Sequence, residues 1–122
     1  LEADVLEDFD SVNYGYYQNI KKLSEGYNVR SILHRTTTSK AAQKIEDKSL
    51  DFIFIDANHS YEQTKNDIFT WLPKVKKDGW ILGHDIDWHG VQIAVKELLP
   101  NFDHAGVETC WFIKPQNRPV IK

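Results

Sequence analysis

Apolar residues recur along the chain in two patterns, one typical of amphipathic helices and one typical of short buried strands. Helical spacing bounded by capping residues, glycine or proline occurs over residues 11–25, 39–47, 60–75 and 90–99. Short β-prone apolar runs occur at residues 29–33, 50–55 and 80–83, and two more, 102–106 and 109–113, flank a turn. Helices alternating with strands predict an α/β fold with a mostly parallel sheet, to which the last two runs add an antiparallel hairpin.

Capping residues, a proline and apolar content predict further details of three of these elements. Ser39 is expected to cap the second helix, and Ser60 forms a capping box with Gln63 at the start of the third. Pro73 is expected to kink or restart that helix. The run at 50–55 is nearly continuous in apolar residues, so we expect a strand covered on both faces of the sheet.

Length and composition restrict the classes of protein that fit. The chain has 122 residues, 41% hydrophobic and 27% charged, which fits one globular domain, expected over residues 1–114, with a loose tail at 115–122. A net charge of −3 does not indicate the basic surface that nucleic-acid-binding proteins have. No apolar run reaches the ~20 residues of a membrane span. A single cysteine and no visible signal peptide favour a cytoplasmic protein.

Acidic and imidazole side chains follow two of the predicted strands. Asp56 and His59 come after the run at 50–55, and His84 and Asp85 after the run at 80–83. If these strands are neighbours, Asp56 and Asp85 lie about one strand spacing (~5 Å) apart and could share a divalent cation. The other interpretation is that both aspartates cap the helices that follow them. His59 is either a general base or a solvated loop histidine.

These residues resemble a known family. The run 51–62, which reads DFIFIDANHSYE, is similar to the fourth-strand motif of class I S-adenosylmethionine-dependent methyltransferases, in the branch whose strand ends in IDxxHxY. The matching features downstream are Asp67, residues 71–73, residues 78–85 and residues 90–91. The resemblance covers residues 23–115 and implies a Rossmann-like methyltransferase sheet.

The resemblance also implies roles for individual residues. It places divalent metal ligands, for Mg²⁺ or another cation, at Asp56, His84 and Asp85, and catalytic roles at His59 and Asp56. His59 stands where the catechol-type members of the family have a lysine base. Contacts to the cofactor, S-adenosylmethionine, fall on Thr37, Thr38, Ser39 and Asp56.

The family's glycine-rich cofactor turn has no counterpart, because none of the six glycines forms a Gly-x-Gly pattern. The chain also lacks methionine. We interpret it as the C-terminal portion of a methyltransferase fold that lacks the N-terminal strands, and we expect weak or no cofactor binding and no activity of this portion alone.

Three functional hypotheses follow. The first is an O-methyltransferase, or its C-terminal part, acting on a small hydroxylated molecule such as a sugar or natural product. The second is a non-catalytic remnant that forms homo-oligomers through an open sheet edge. The third is a metal-dependent hydrolase that uses the same aspartates and histidines.

Overall fold

The computed structural model describes residues 18–23, 25, 32 and 34–120. Residues 18–23 are helical, whereas the rest of the helix predicted over 11–25 lies outside the described residues, apart from residue 25. The strand predicted over 29–33 likewise lies outside them, except for Ile32. The chain divides into two compact units, Leu1–Ala41 and Ala42–Lys122, and the second contains the whole described sheet.

The described elements alternate between helix and strand, as the sequence predicts. The α-helices are α1 (Thr38–Gln43), α2 (Tyr61–Trp71) and α3 (His89–Leu98). The strands are β1 (Leu50–Ile55), β2 (Val75–Gly83), β3 (Asp103–His104) and β4 (Trp111–Ile113). Short 3₁₀ helices occupy Leu72–Lys74 and Pro115–Asn117.

The strands form one sheet in the order β1-β2-β4-β3. β1 and β2 are parallel, with Ile55 paired to Gly83, so the predicted neighbourhood of these two strands is confirmed. β4 is antiparallel to both β2 and β3, which confirms the predicted C-terminal hairpin. The two parallel strands therefore end side by side at one edge of the sheet.

One face of the sheet packs against α2 and α3. Its inward side chains on β2 and β4, Ile81, Trp111 and Ile113, are at most 1% exposed. They join Ile68 of α2 and Val95 of α3 in a single hydrophobic cluster. This cluster fixes the carboxyl ends of β1 and β2 relative to the helices that follow them.

On the opposite face of the sheet, the prediction that the strand at 50–55 is covered on both sides is wrong. Phe52 and Phe54 on β1 are 62% and 50% exposed, and Trp80 on β2 is 42% exposed. Within Ala42–Lys122, β1 is therefore covered on one face and not on both. A continuous apolar run identifies a strand with apolar residues on both sides, but it does not supply the second covering layer.

Helix ends are set by local hydrogen bonds. Ser60 caps α2, its side chain accepting a bond from Gln63 N at 3.2 Å, which confirms one half of the predicted capping box. The reciprocal half is wrong, because Ser60 N donates to Asn58 Oδ1 and the Gln63 side chain donates to Asp67. α2 ends at Trp71, and the chain continues as a 3₁₀ helix over Leu72–Lys74, which agrees with the kink or restart predicted at Pro73. The predicted Ser39 cap is wrong: Thr37 Oγ1 accepts from Lys40 N at 3.3 Å, which places Ser39 inside α1.

Residues 115–118 are fastened to the sheet, whereas their low apolar content predicts a loose tail. The Arg118 guanidinium donates to the carbonyls of Val75, Lys76 and Gly79 in β2. Burial lowers the pKa of Arg118. Because these acceptors are backbone carbonyls, the side-chain sequence of β2 does not predict the contact.

Candidate functional site

The candidate site lies where β1 and β2 end. Asp56 follows β1 directly, and His84 and Asp85 follow β2. His84 N donates to Ile55 O at 3.1 Å, which continues the parallel ladder by one residue. The register of the two strands, set by the buried core, thereby brings these three side chains together.

Asp56, His84 and Asp85 form a group with the composition of a metal site. Each offers one ligand atom, and these atoms all lie within 4.8 Å of one another. His84 Nδ1 is 3.2 Å from Asp85 Oδ1 and 3.6 Å from Asp56 Oδ1. Two carboxylates and one imidazole suit divalent cations such as Mn²⁺, Fe²⁺ or Zn²⁺, and less specifically Mg²⁺. The donor set therefore fits a divalent cation.

Asp85 connects the two histidines of the site. Its Oδ1 faces His84, and its Oδ2 lies 2.9 Å from His59 Nε2. Its backbone is left-handed, with φ of 63°, a conformation that aspartate tolerates better than most residues. The carboxylate is only 15% exposed, so it is held between both imidazoles.

His59 is held on two sides. Besides its contact with Asp85, its ring stacks on Trp88 with centroids 4.2 Å apart and planes 19° from parallel. A neutral imidazole that donates from Nε2 to a carboxylate keeps its lone pair on Nδ1. His59 thus has a fixed orientation and an available nitrogen, which favours the base interpretation over a solvated loop histidine.

Two glycines allow the close packing around these side chains. The Trp111 ring occupies the space that a Cβ at Gly83 would need, and Trp111 Nε1 donates to His84 O at 3.3 Å. At the start of α3, a Cβ on Gly90 would lie 2.8 Å from His59 O. Both approaches position a site residue through its backbone.

Several residues of the site have no signal in the sequence that identifies them. The sequence predicts Trp88 only as a loop residue, although its ring stacks on the imidazole of His59. Glu108, from the β3–β4 turn, places Oε2 3.6 Å from His84 Nε2. Gly83 and Gly90 stand within the matched motifs, but only the structure shows what their missing side chains accommodate.

The site has little enclosed volume. A cavity of about 10 Å³, lined among others by Ala57, His59 and His84, has room for about one water. Any acceptor molecule would therefore bind on the open side of the cluster. Asp87, which follows in the same loop, is exposed and does not belong to the metal-type group.

The residues predicted to contact the cofactor adenine lie in the other unit. Thr37, Thr38 and Ser39 belong to Leu1–Ala41, and the group around Asp85 belongs to Ala42–Lys122. Thr37 is occupied as the cap of α1. Their contact with a cofactor stays a prediction.

A parallel βαβ unit with acids and imidazoles at its carboxyl edge is a common layout in α/β enzymes. Comparison with known families is more specific: residues 5–86, more than half of the chain, match the model of a family described as "Methyltransferase domain". The chain therefore belongs to this family of methyltransferase domains, and the predicted methyltransferase class is confirmed.

One curated relative is a protein of Sinorhizobium fredii (strain NBRC 101917 / NGR234) named "Uncharacterized protein y4gI". It is 32% identical over 71 residues, which are 58% of this chain and 8% of that protein. The chain thus resembles a small part of a much longer relative. Within the described residues, no helix is long and apolar enough to cross a membrane.

Proposed function

We propose that this methyltransferase domain transfers the methyl group of S-adenosylmethionine to a hydroxyl of a small molecule such as a sugar or natural product. In this proposal Asp56, His84 and Asp85 hold a divalent cation, and His59 is the general base. The observation that carries the proposal is the convergence of the three ligand atoms within 4.8 Å at the carboxyl ends of β1 and β2.

The chemistry assigned to each group follows from its contacts. A divalent cation supplies positive charge that favours the ionised form of a hydroxyl. S-adenosylmethionine supplies an electrophilic methyl group. Asp85 orients His59 through Nε2, so His59 accepts the hydroxyl proton at Nδ1. The remaining contribution is positioning, which the buried core under β1 and β2 provides.

We also place the described sheet in the C-terminal part of a Rossmann-like methyltransferase fold. The order β1-α2-β2, followed by an antiparallel hairpin beside β2, supports this placement. The family's glycine-rich turn has no match among the six glycines. We therefore propose that the 122-residue chain does not turn over by itself, and the tests below use binding.

The cation proposal is tested by titrating the chain with Mn²⁺, followed by calorimetry and by the electron paramagnetic resonance of the free ion. We expect one saturable site. Asp56→Asn, Asp85→Asn and His84→Gln should each weaken binding at least ~10-fold, because each removes a ligand. Asp87→Asn, an exposed acid of the same loop, is the matched control and should bind like the wild type. Absence of a saturable site, or an equal loss in Asp87→Asn, would refute the cation site.

The base proposal is tested with 4-nitrocatechol, whose absorption moves to longer wavelength when a hydroxyl ionises. In the presence of the chain and Mn²⁺, at a pH below the pKa of the free probe, we expect the ionised fraction to be higher with the wild type than with His59→Gln, which removes the proton acceptor. His104→Gln removes an exposed imidazole away from the site and should leave the spectrum unchanged. Identical spectra for wild type and His59→Gln, with Mn²⁺ binding intact, would exclude His59 as the proton acceptor.

A further inference from the structure

The turn between β3 and β4 brings a further acidic side chain to the candidate cation site. Glu108 lies in this turn, and its Oε2 is 3.6 Å from His84 Nε2. The other ring nitrogen of His84, Nδ1, faces Asp85 Oδ1 at 3.2 Å and Asp56 Oδ1 at 3.6 Å. The group of converging ligand atoms includes both aspartates but not Glu108. Carboxylates therefore lie at both nitrogens of one imidazole, and only those at Nδ1 belong to the metal-type group.

The backbone on either side of Glu108 is fastened to the segment that carries His84. Ile86, in the loop after β2, donates from its N to Thr109 O at 3.1 Å. At the start of β4, Trp111 Nε1 donates to His84 O at 3.3 Å. All of these residues belong to the unit that contains the whole described sheet. The approach of Glu108 to the ring therefore follows from hydrogen bonds of its neighbours, although its own side chain is 77% exposed.

The two nitrogens of His84 have different tasks if a cation is bound at Nδ1. A neutral imidazole carries one proton, and a nitrogen binds a metal ion through its lone pair, so the proton must then be at Nε2. Histidines that bind metals donate this second N–H to a carboxylate, a backbone carbonyl or water, which fixes the tautomer and the ring orientation. Glu108 Oε2 lies at the nitrogen where such an acceptor is needed.

We propose that Glu108 is a positioning residue of the cation site: it accepts the Nε2 proton of His84 and so presents the Nδ1 lone pair toward Asp56 and Asp85. The inference rests on the proposed cation site. A hydrogen bond needs an N···O distance of about 3 Å, which the exposed Glu108 side chain reaches by rotation about its own torsions. Without Glu108, the Asp85 carboxylate at 3.2 Å favours the proton on Nδ1, the tautomer that cannot bind a cation there.

The proposal is tested by Mn²⁺ titration of the 122-residue chain and its variants. We expect Glu108→Ala to weaken binding about 10-fold, at the lower end for outer carboxylates, because water partly replaces an acceptor that is 77% exposed. Glu108→Gln removes the charge but keeps an oxygen acceptor, so its affinity should stay within about threefold of the wild type. Val107→Ala, in the same turn and 66% exposed, is the matched control and should bind like the wild type.

The nitrogen NMR shifts of the His84 ring in the metal-free chain report the tautomer directly. At about pH 8, where an ordinary imidazole is neutral, we expect a larger fraction protonated at Nε2 in the wild type and Glu108→Gln than in Glu108→Ala. A merely structural role would not move this ratio. Alanine and glutamine keep a Cβ, so the left-handed backbone of Glu108, with φ of 48°, constrains both variants as it constrains the wild type.

The outcomes separate the role of Glu108 from the cation site itself. If the wild type binds Mn²⁺ and Glu108→Ala binds it equally tightly, the role of Glu108 is overturned and the cation site stands. The same holds if Glu108→Gln loses as much affinity as Glu108→Ala, because charge and not the acceptor then accounts for the effect, or if the tautomer ratio is the same in all three forms. A wild-type chain without saturable Mn²⁺ binding overturns the cation site and this inference with it.

Discussion

Asp85 determines more of the site geometry than any other single residue described. One carboxylate oxygen faces His84 and the other faces His59, and the backbone is left-handed at φ 63°. A left-handed backbone at a residue other than glycine costs about 1 kcal/mol or more and persists where the surroundings fix it. Here the surroundings include the turn in which Trp88 N donates to Asp85 O at 3.0 Å. The strained residue is thus the one shared by both imidazoles.

Asp67 gives a stability prediction at a single residue. It is 2% exposed within α2, and burial raises the pKa of its carboxyl, while a hydrogen bond from Gln63 Nε2 at 3.0 Å lowers it by less. Replacement by asparagine keeps an acceptor for Gln63 and removes the buried charge. We expect Asp67→Asn to raise the free energy of unfolding at neutral pH by about 1 kcal/mol.

The raised pKa of Asp67 also determines how the stability of the protein changes with pH. Because the folded-state pKa lies above the unfolded value, the folded state holds a proton that the unfolded chain has lost. Stability from this group therefore falls as pH rises from about 4 through the raised pKa. Urea unfolding across that range should show the wild type losing stability relative to Asp67→Asn as pH rises. Glu46→Gln, at an exposed acid, should lose stability as the wild type does; a constant difference between the wild type and Asp67→Asn would contradict the assignment.

At the scale of single residues, the sequence predicts which side chains lie close together because their strands end side by side. The proximity of Asp56 and Asp85 follows from two parallel neighbours whose carboxyl ends share an edge. The stacking of His59 on Trp88 does not, because it depends on the path of the loop before α3. Loop conformation is set by tertiary contacts that periodicity does not encode.

At the scale of elements, β1 and the cap of α2 agree with the sequence, whereas β2 is longer than its apolar run predicts. The polar residues 76–78 precede that run, yet they belong to β2. The pairing with β1 shifts register between Leu50 and Phe52, which accommodates the irregular stretch. Between the pairs Leu50–Val75 and Phe52–Trp80, residues 76–79 of β2 lie opposite Asp51 alone, so the polar residues form an irregular stretch within the strand.

Arg118 gives a prediction about how the C-terminal segment supports β2. Its guanidinium donates to the carbonyls of Val75, Lys76 and Gly79, and Lys76 also pairs with Asp51 at 2.8 Å. We expect Arg118→Ala to lower the free energy of unfolding by about 1.5–3 kcal/mol, because it leaves these carbonyls without a charged donor.

Hydrogen exchange of the amides at residues 75–79 locates this effect. Exchange there should accelerate in Arg118→Ala and remain fast in Arg118→Lys, since an ammonium cannot reproduce the planar fork of the guanidinium. Lys114→Ala removes an exposed charge from the same segment and should exchange like the wild type. If Arg118→Lys restores slow exchange, charge alone accounts for the contact and the fork geometry does not matter.

At the scale of the whole molecule, a continuous apolar run identifies a strand with apolar residues on both faces, but it does not show whether both faces are covered. Phe52 and Phe54 have the composition of a doubly covered strand, yet they are 62% and 50% exposed. The candidate metal ligands, by contrast, all come from Ala42–Lys122 and converge within that unit. Cation binding and cofactor binding can therefore be separated experimentally.

Cofactor binding provides the prediction for the whole chain. Because the six glycines contain no Gly-x-Gly turn for the methionyl end of S-adenosylmethionine, we expect no saturable binding in calorimetry up to about 1 mM cofactor. The same sample should bind Mn²⁺ at the Asp56, His84 and Asp85 group, which shows that the site is folded. Adding Mn²⁺ first should not produce cofactor binding, since the cation ligands do not supply the backbone contacts of a glycine-rich turn. Saturable binding below about 100 µM would show that the chain holds the cofactor without that turn, and Thr37→Ala would then test whether the predicted adenine loop contributes.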